Sequence, residues 1–343
     1  MSFFKGLAAG LYWCVVRLRG WLYDTGLLSS YRSRLSVISV GNVTAGGNGK
    51  TPLCLKIAAE MIKRGYRPAI LSRGYGGSLT GPHRVRIDDS PSVVGDEPLL
   101  MAQAGVPVFI ARKRVSGAKA IEDLGEFDLV ILDDGFQHRA LARDLDIVSV
   151  FSGSRDAVKQ FKAGRLLPLG MFREPRGYAL RRADLIILND RRVLRDSGAD
   201  SALSAEIKGA LPPSVEVFRS HLSAGRVEMA KDGRPLDPRS VVAFAAIANP
   251  EGFFSSLEGL GFELIERVVF NDHYQFTPED ISRISRSFPN HTAVCTAKDM
   301  VKLRALPGVD LERIAFLPVS AEIEPSDRFF SLVEERLKGK VRR

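Results

Sequence analysis

The stretch SVGNVTAGGNGKTP, residues 39–52, constrains this chain more than any other. It joins an apolar run, Leu35 to Val40, to LCLKIAAEMI, whose apolar residues recur at helical spacing. A buried strand, a glycine-rich turn and a helix in that order make a phosphate cradle, because small residues let backbone N–H groups approach an anion at the helix N-terminus. Thr44-Ala45-Gly46-Gly47-Asn48-Gly49-Lys50-Thr51 satisfies the pattern G-x-x-x-x-G-K-[ST] everywhere except its first position, which is Thr44. Lys50 is then expected to reach the β- and γ-phosphates and the Thr51 hydroxyl to bind Mg²⁺.

Strand-like and helix-like runs alternate around this turn. LSVISV, PAILS, VPVFI, FDLVILD, DIVSV and DLIILN are short and almost wholly apolar, as strands buried on both faces of a parallel sheet are. The alternation predicts an α/β fold, a P-loop NTPase-type doubly wound and mainly parallel sheet, over residues 35–215. Residues 216–238 alternate polar and apolar around a Lys-Asp-Gly turn and read as a two-stranded antiparallel linker. A smaller second α/β domain is expected over 239–338, from SVVAFAAIA, FELIERVVF, HTAVCTA and RIAFLPV. Two domains suit 343 residues, and 45% hydrophobic with 26% charged residues excludes a disordered chain. Three well-separated cysteines, Cys14, Cys54 and Cys295, argue against a disulfide framework or a structural zinc site.

A triphosphate site needs a carboxylate for its metal, and FDLVILDDGFQHR ends an apolar strand in Asp133 and Asp134. Together the two motifs imply ATP or GTP with Mg²⁺, and leave open what receives the phosphate. SRGYGG (72–77), VGDEP (94–98) and the Arg-rich block 164–189 accompany them; each alone is also compatible with a turn, a helix cap and a basic surface. The formal charge of +9 favours an anionic partner. Nucleic acid is disfavoured, since aromatic and basic residues are not interleaved for base stacking.

Residues 1–34 carry five basic residues against one acidic and both tryptophans of the chain, Trp13 and Trp21. The apolar run is too short to span a bilayer, which takes roughly 20 residues. Phe4, Leu7, Leu11, Val15, Leu18 and Leu22 fall on one helical face. Such a helix either packs within its own domain or lies in a membrane interface.

Taken in order, SVGNVTAGGNGKTP, LSRGYGG, GDEP, LDDGFQHR, PLGMFREP with RRAD, AFAAIANP, NDHYQF and TAKDMVKL make the chain resemble the tetraacyldisaccharide 4'-kinases of lipid A biosynthesis over nearly its whole length. The resemblance implies a monomeric enzyme on the cytoplasmic face of the inner membrane, bound to its anionic lipid surface. It implies transfer of the ATP γ-phosphate to the 4'-hydroxyl of an acylated glucosamine disaccharide 1-phosphate, giving lipid IVA. It assigns Asp96 as general base and His273 as its partner, with Asp133 and Asp134 beside Thr51 at the metal. Asn42, Arg73, Glu97, Gln137, His138, Arg173 and Glu174 are implied around the phosphate and acceptor, and the Arg-rich block 165–182 near the 1-phosphate. Tyr274, Ala297 and Ala246 depart from the usual family residues. The competing class is a P-loop switch or metallochaperone-type NTPase, which shares the nucleotide motifs without an acyl acceptor.

Overall fold

The computed structural model describes residues 2–46, 49–190, 198–272 and 274–340. The chain opens with a long helix, α1 (Ser2–Asp24). The first sheet is then built from β1 (Ser36–Asn42), α2 (Lys50–Lys63), β2 (Pro68–Ser72), β3 (His83–Arg84), α3 (Pro91–Val94), α4 (Asp96–Gln103) and β4 (Val108–Ile110). It continues through α5 (Arg114–Leu124), β5 (Leu129–Asp133), β6 (Leu145–Phe151), α6 (Arg155–Ala163), α7 (Arg176–Leu180), β7 (Leu185–Asp190), α8 (Gly198–Lys208) and β8 (Glu216–Ala224). A second sheet uses β9 (Glu228–Met229), β10 (Ser240–Ala245), α9 (Pro250–Gly259), β11 (Glu263–Val269), α10 (Pro278–Ser287), β12 (Thr292–Thr296), α11 (Ala297–Arg304) and β13 (Ile314–Leu317). The chain ends in β14 (Val319–Glu324) and α12 (Ser326–Lys340).

The first sheet has the order β14-β8-β7-β6-β1-β5-β2-β4-β3, parallel except for its edge strands β3 and β14. The order reverses around β1, so the strand leading into the glycine-rich turn lies between β5 and β6 at the centre. Doubly wound sheets bind ligands outside the carboxyl ends of their strands at such a point. The apolar runs expected as buried strands are those strands: β1, β2, β4, β5, β6 and β7 are buried along nearly all of their length. Helices cover both faces and close a core that includes Ile38, Val40, Leu53, Ile57 and Ile131.

Two boundaries differ from the sequence reading. Within 216–238 only the residues next to the Lys-Asp-Gly turn pair antiparallel with each other, Glu228 opposite Pro235, and the longer strand β8 finds its partners elsewhere. β8 runs parallel to β7 on one side and antiparallel to β14 on the other, Val319 opposite Ala224. Alternation identifies an extended segment but not a partner about a hundred residues away. Residues 319–338 also leave the second domain: Ile323, Phe329, Phe330, Val333 and Leu337 enter the first core, and Glu334 accepts from Arg64 at 2.7 Å. The second sheet, β11-β10-β12-β13-β9, is parallel except for β9. The chain passes between the sheets twice, at Gly225 and Pro318, joined by the Gly225 N–H donating to the Pro318 carbonyl at 2.9 Å.

Glycine is required where β1 meets the turn after β5. A Cβ on Gly41 would lie 2.5 Å from Phe136 Cβ and 2.9 Å from its backbone nitrogen, neither of which can swing away. Gly41→Ala is expected to destabilise the fold by about 1–3 kcal/mol through overpacking. Urea unfolding of the two proteins measures this.

Candidate active site

The glycine-rich turn is clamped by the Arg-rich block rather than left as a free loop. Thr44 bridges Phe172 antiparallel, Ala45 N–H donates to Met171 O at 2.7 Å, and Arg173 N–H donates to Val43 O at 2.9 Å. The PLGMFREP segment therefore sets the turn and brings Arg173 beside it. Gly49 has φ 64°, and a Cβ there would lie 2.4 Å from Asn189 Nδ2 at the end of β7. Lys50 then starts α2 with its backbone N–H groups facing the turn. Gly47 and Asn48 lie outside the described residues.

Three carboxylates gather beneath Lys50 and Thr51. Asp134 is the one non-glycine residue with a left-handed backbone among those described, φ 53°. That turn at the end of β5 aims its carboxylate at Lys50, 3.5 Å away, and at Arg173 Nη1, 3.0 Å away. Burial would raise the Asp134 pKa, but Lys50 and Arg173 outweigh it and hold the carboxyl below its ordinary range. Asp133 points the other way, accepts from Ser72 Oγ at 2.9 Å, and is fully buried. Burial, then the negative charge of Glu97, push it up to about 6. Glu97 accepts from Thr51 Oγ1 at 2.9 Å and from Lys298 Nζ at 3.1 Å.

Asp96 begins α4, its carboxylate buried against the SRGYGG loop, where a Cβ on Gly76 would meet Oδ1 at 3.6 Å. Gly95 and Gly77 allow that contact, since a Cβ on Gly95 would lie 2.5 Å from Tyr75 O and one on Gly77 2.5 Å from Val93 O. His273 lies outside the described residues.

On the other side of Asp134 opens a cavity of about 400 Å³. Arg73, Gln137, His138, Arg173 and Glu174 line its floor, and Tyr12, Val16, Arg19 and Gly20 of α1 form a wall opposite. Gln137 Nε2 donates to Glu174 Oε1 at 3.1 Å and to Asn42 O at 2.9 Å, and Arg182 Nη2 donates to Glu174 Oε2 at 2.5 Å. Five of the seven residues grouped around the acceptor thus meet in one cavity. The other two do not. Asn42 is fully buried, with its amide on Gly46 O at 3.3 Å, so it supports the turn. Glu97 faces the Thr51 hydroxyl, because its place in the first turn of α4 directs it toward α2 rather than the cavity.

A profile of the tetraacyldisaccharide-1-P 4'-kinases matches residues 3–338. A tetraacyldisaccharide 4'-kinase of Syntrophus aciditrophicus is 39% identical over 342 residues, 94% of this chain and 90% of that protein. One of Aeromonas hydrophila is 38% identical over 313 residues, 90% of this chain and 84% of the other. The crystal structure of LpxK from Aquifex aeolicus in complex with ATP superposes with a TM-score of 0.75 at 29% identity, over 96% of this chain and 97% of that one. The chain belongs to the tetraacyldisaccharide 4'-kinase family.

Sequence reasoning missed several residues of this kinase site. Arg114 is buried at the start of α5 and reaches Asp133 O at 3.4 Å; burial pulls its pKa down to about 10. Lys298, Tyr12 and Tyr178 were also missed. Lys298, Tyr178, Arg139 and Arg182 sat inside stretches already quoted, but nothing in the sequence brings α1 or α11 to the nucleotide loop.

His138 gives a pH signature. Burial, then the positive charges of Arg114 and Arg73, push its pKa from 6.5 down to about 4. Unfolding restores the ordinary value, so between about pH 6.5 and 4 the unfolded chain binds the extra proton and acid costs stability through this ring. Asp133, raised to about 6, acts with opposite sign over much of that window. The stability difference between His138→Gln and the natural protein should therefore move in favour of the variant as pH falls from about 6.5 to 4. Urea titrations at each pH measure it, and a constant difference would place a charged imidazole there.

Proposed function

We propose that the cavity beside Asp134 receives the disaccharide head of a tetraacylated glucosamine disaccharide 1-phosphate. ATP held at residues 44–51 would phosphorylate its 4'-hydroxyl, yielding lipid IVA. The observation that carries this reading is the position of α1. Its inner side walls the cavity, while Phe4, Leu7, Leu11, Val15 and Leu18 on its outer side are 57–74% exposed. A phosphotransfer site bounded by an apolar, outward-facing helix suits an acceptor whose acyl chains stay in a bilayer. No described helix is long and apolar enough to cross a membrane, so α1 would lie along the surface, at the cytoplasmic face where ATP is available.

Phosphoryl transfer rests on positioning and charge neutralisation. Lys50 and Arg173 are the cations nearest the transferred group, and their present partner Asp134 keeps both in place. The residues fit Mg²⁺, which takes one or two carboxylates and completes its shell with phosphate oxygens and water. Burial, and after it the negative charge of Glu97, raises Asp133, and a cation bound beside it would favour its charged form. Thr51 and one or two of the carboxylates of Asp133, Asp134 and Glu97 would hold it, and the ion would neutralise charge on the phosphates. Asp96 would accept the proton of the sugar hydroxyl late in the step, with His273 beside it once the second unit approaches. Arg19 and Arg139, which line the cavity, suit the 1-phosphate.

The deciding experiment supplies γ-labelled ATP, Mg²⁺ and acylated disaccharide 1-phosphate. Label in the lipid is expected; label released only as inorganic phosphate would instead identify an NTPase switch. Asp96→Ala should lower turnover by about 10²–10⁴-fold with ATP binding retained, and near-natural turnover removes Asp96 from the proton transfer. Because α1 also walls the cavity, its membrane role is tested by exposed positions alone. Replacing Leu7, Leu11 and Leu18 with Ser should cut vesicle partitioning about tenfold or more, while turnover on acceptor in detergent micelles changes little.

A further inference from the structure

Next to the acceptor cavity, α1 and α7 border a second, open cavity of about 330 Å³, lined by Arg17, Trp21, Asp24, Tyr178, Arg181 and Arg182. The seam between the helices is closely fitted. A Cβ on Gly20 would lie 2.5 Å from the Tyr178 hydroxyl, so the ring sits where only glycine leaves room. That hydroxyl donates to Asp24 Oδ2 at 2.9 Å and accepts from Arg139 Nη1 at 2.7 Å. The Arg17 and Arg182 guanidinium carbons lie 4.9 and 5.2 Å from the ring centroid.

Charge around the seam is unbalanced. Among the described residues lining the two cavities, Arg17, Arg19, Arg139, Arg181 and Arg182 stand beside the carboxylates of Asp24 and Glu174, while Asp134 is paired with Lys50 and Arg173. Asp24 is held by Arg139 at 2.8 Å and Glu174 by Arg182 at 2.5 Å. Neither Arg17 nor Arg181 has an ion pair among the described residues, and Arg182 Nε and Nη1 are buried without a hydrogen-bond partner. Buried donors left unpaired cost free energy, which an acceptor at that point would recover.

We propose that this cavity is a headgroup site for an anionic phospholipid of the membrane, its phosphate taken by Arg17, Arg181 and the free edge of Arg182. Guanidinium forks match phosphate oxygens in pairs. Trp21, 53% exposed, belongs to the cavity, and Leu18 lies one turn earlier on the outer side of the helix. An indole at the boundary between apolar and charged surface is the usual residue of a lipid headgroup region. Tyr178 and Arg182 line both cavities, whereas Arg17 and Arg181 line this one and not the acceptor cavity, so those two arginines distinguish the sites. The proposal rests on the reading that α1 lies against the membrane, and gives that contact a lipid preference.

The test measures partitioning of the full-length protein onto phosphatidylcholine vesicles with and without phosphatidylglycerol, without ATP or acceptor. The natural protein should prefer the anionic vesicles. Arg17→Ala with Arg181→Ala should reduce that preference about tenfold or more, since each basic residue near such a surface contributes about 1 kcal/mol, and leave binding to neutral vesicles intact. Gly20→Ala removes no charge but displaces Tyr178, and should also reduce the preference. If Gly20→Ala keeps it while the double variant loses it, the arginines are a diffuse basic surface and the proposal fails. It fails equally if the double variant keeps the preference, or if millimolar inorganic phosphate abolishes it, which indicates a free-phosphate site. A matching rise in acceptor KM in neutral micelles for the double variant reassigns the arginines to the 1-phosphate. Absence of natural-protein binding to either vesicle would sink the membrane reading itself.

Discussion

Glu97 is the charged link between the nucleotide loop and the smaller sheet. One oxygen accepts the Thr51 hydroxyl at the start of α2, and the other accepts the Lys298 ammonium from α11. Burial alone would favour its neutral form, but the Lys298 charge and the Thr51 hydrogen bond keep its pKa low. α11 carries a buried ion pair whose remaining polar atoms tie the helix to the loops around it. Asp299 and Lys302 lie 3.3 Å apart with side chains 0% and 3% exposed. Such a pair is costly unless every remaining donor and acceptor is used. Asp299 accepts from Ala246 N–H at 3.0 Å and from Thr296 Oγ1 at 2.7 Å, and Lys302 donates to Tyr274 O at 3.1 Å. The AFAAIANP and NDHYQF segments are therefore fastened to the same helix that touches Glu97.

The two aspartates at the end of β5 are separated by one backbone turn and by opposite electrostatics. Asp133 continues the strand into the interior, where Ser72 and Cys54 are its neighbours and burial dominates. Asp134 breaks into the left-handed region, a conformation that costs a non-glycine residue about 1 kcal/mol or more. It gains two cations in return, Lys50 and Arg173. The sequence places both acids at the strand end but cannot distinguish them, because the difference lies in one φ angle.

What was legible in the sequence follows local rules. Continuous apolar runs identified six core strands of the first sheet, since burial on both faces leaves no alternation to misread. The phosphate turn was legible because its glycines, lysine and threonine are adjacent in the chain. Long-range pairing was not: β14 joins β8, and α12 enters the first core, by contacts across more than a hundred residues. Glu97 shows the same limit on a smaller scale. Its motif neighbour Asp96 suggested the acceptor, yet residues adjacent on a helix point about 100° apart. Lys298 had no motif tying it to Thr51, since only tertiary packing brings α11 against α4.

The N-terminal helix packs against its own domain, one of the two readings its sequence allowed, and turns an apolar side outward. Tyr12 donates to Arg173 O at 2.7 Å and Arg19 to Gln137 O at 3.2 Å, so its inner side is hydrogen-bonded to the REP and DDGFQHR segments. These are polar contacts, and among its described side chains only Ala9 is a buried apolar one. An amphipathic helix normally turns its apolar stripe inward, because burial there is its main source of stability. Here the stripe faces out and the docked side is polar and aromatic. That inversion leaves Leu7, Leu11, Val15 and Leu18 of α1 turned to solvent. They sit on the outer side of the helix whose inner side walls the cavity beside Asp134. Docking thus uses one side of the helix and leaves the other turned outward, and Gly20, where a Cβ would meet the Tyr178 hydroxyl, is where the docked side is fixed.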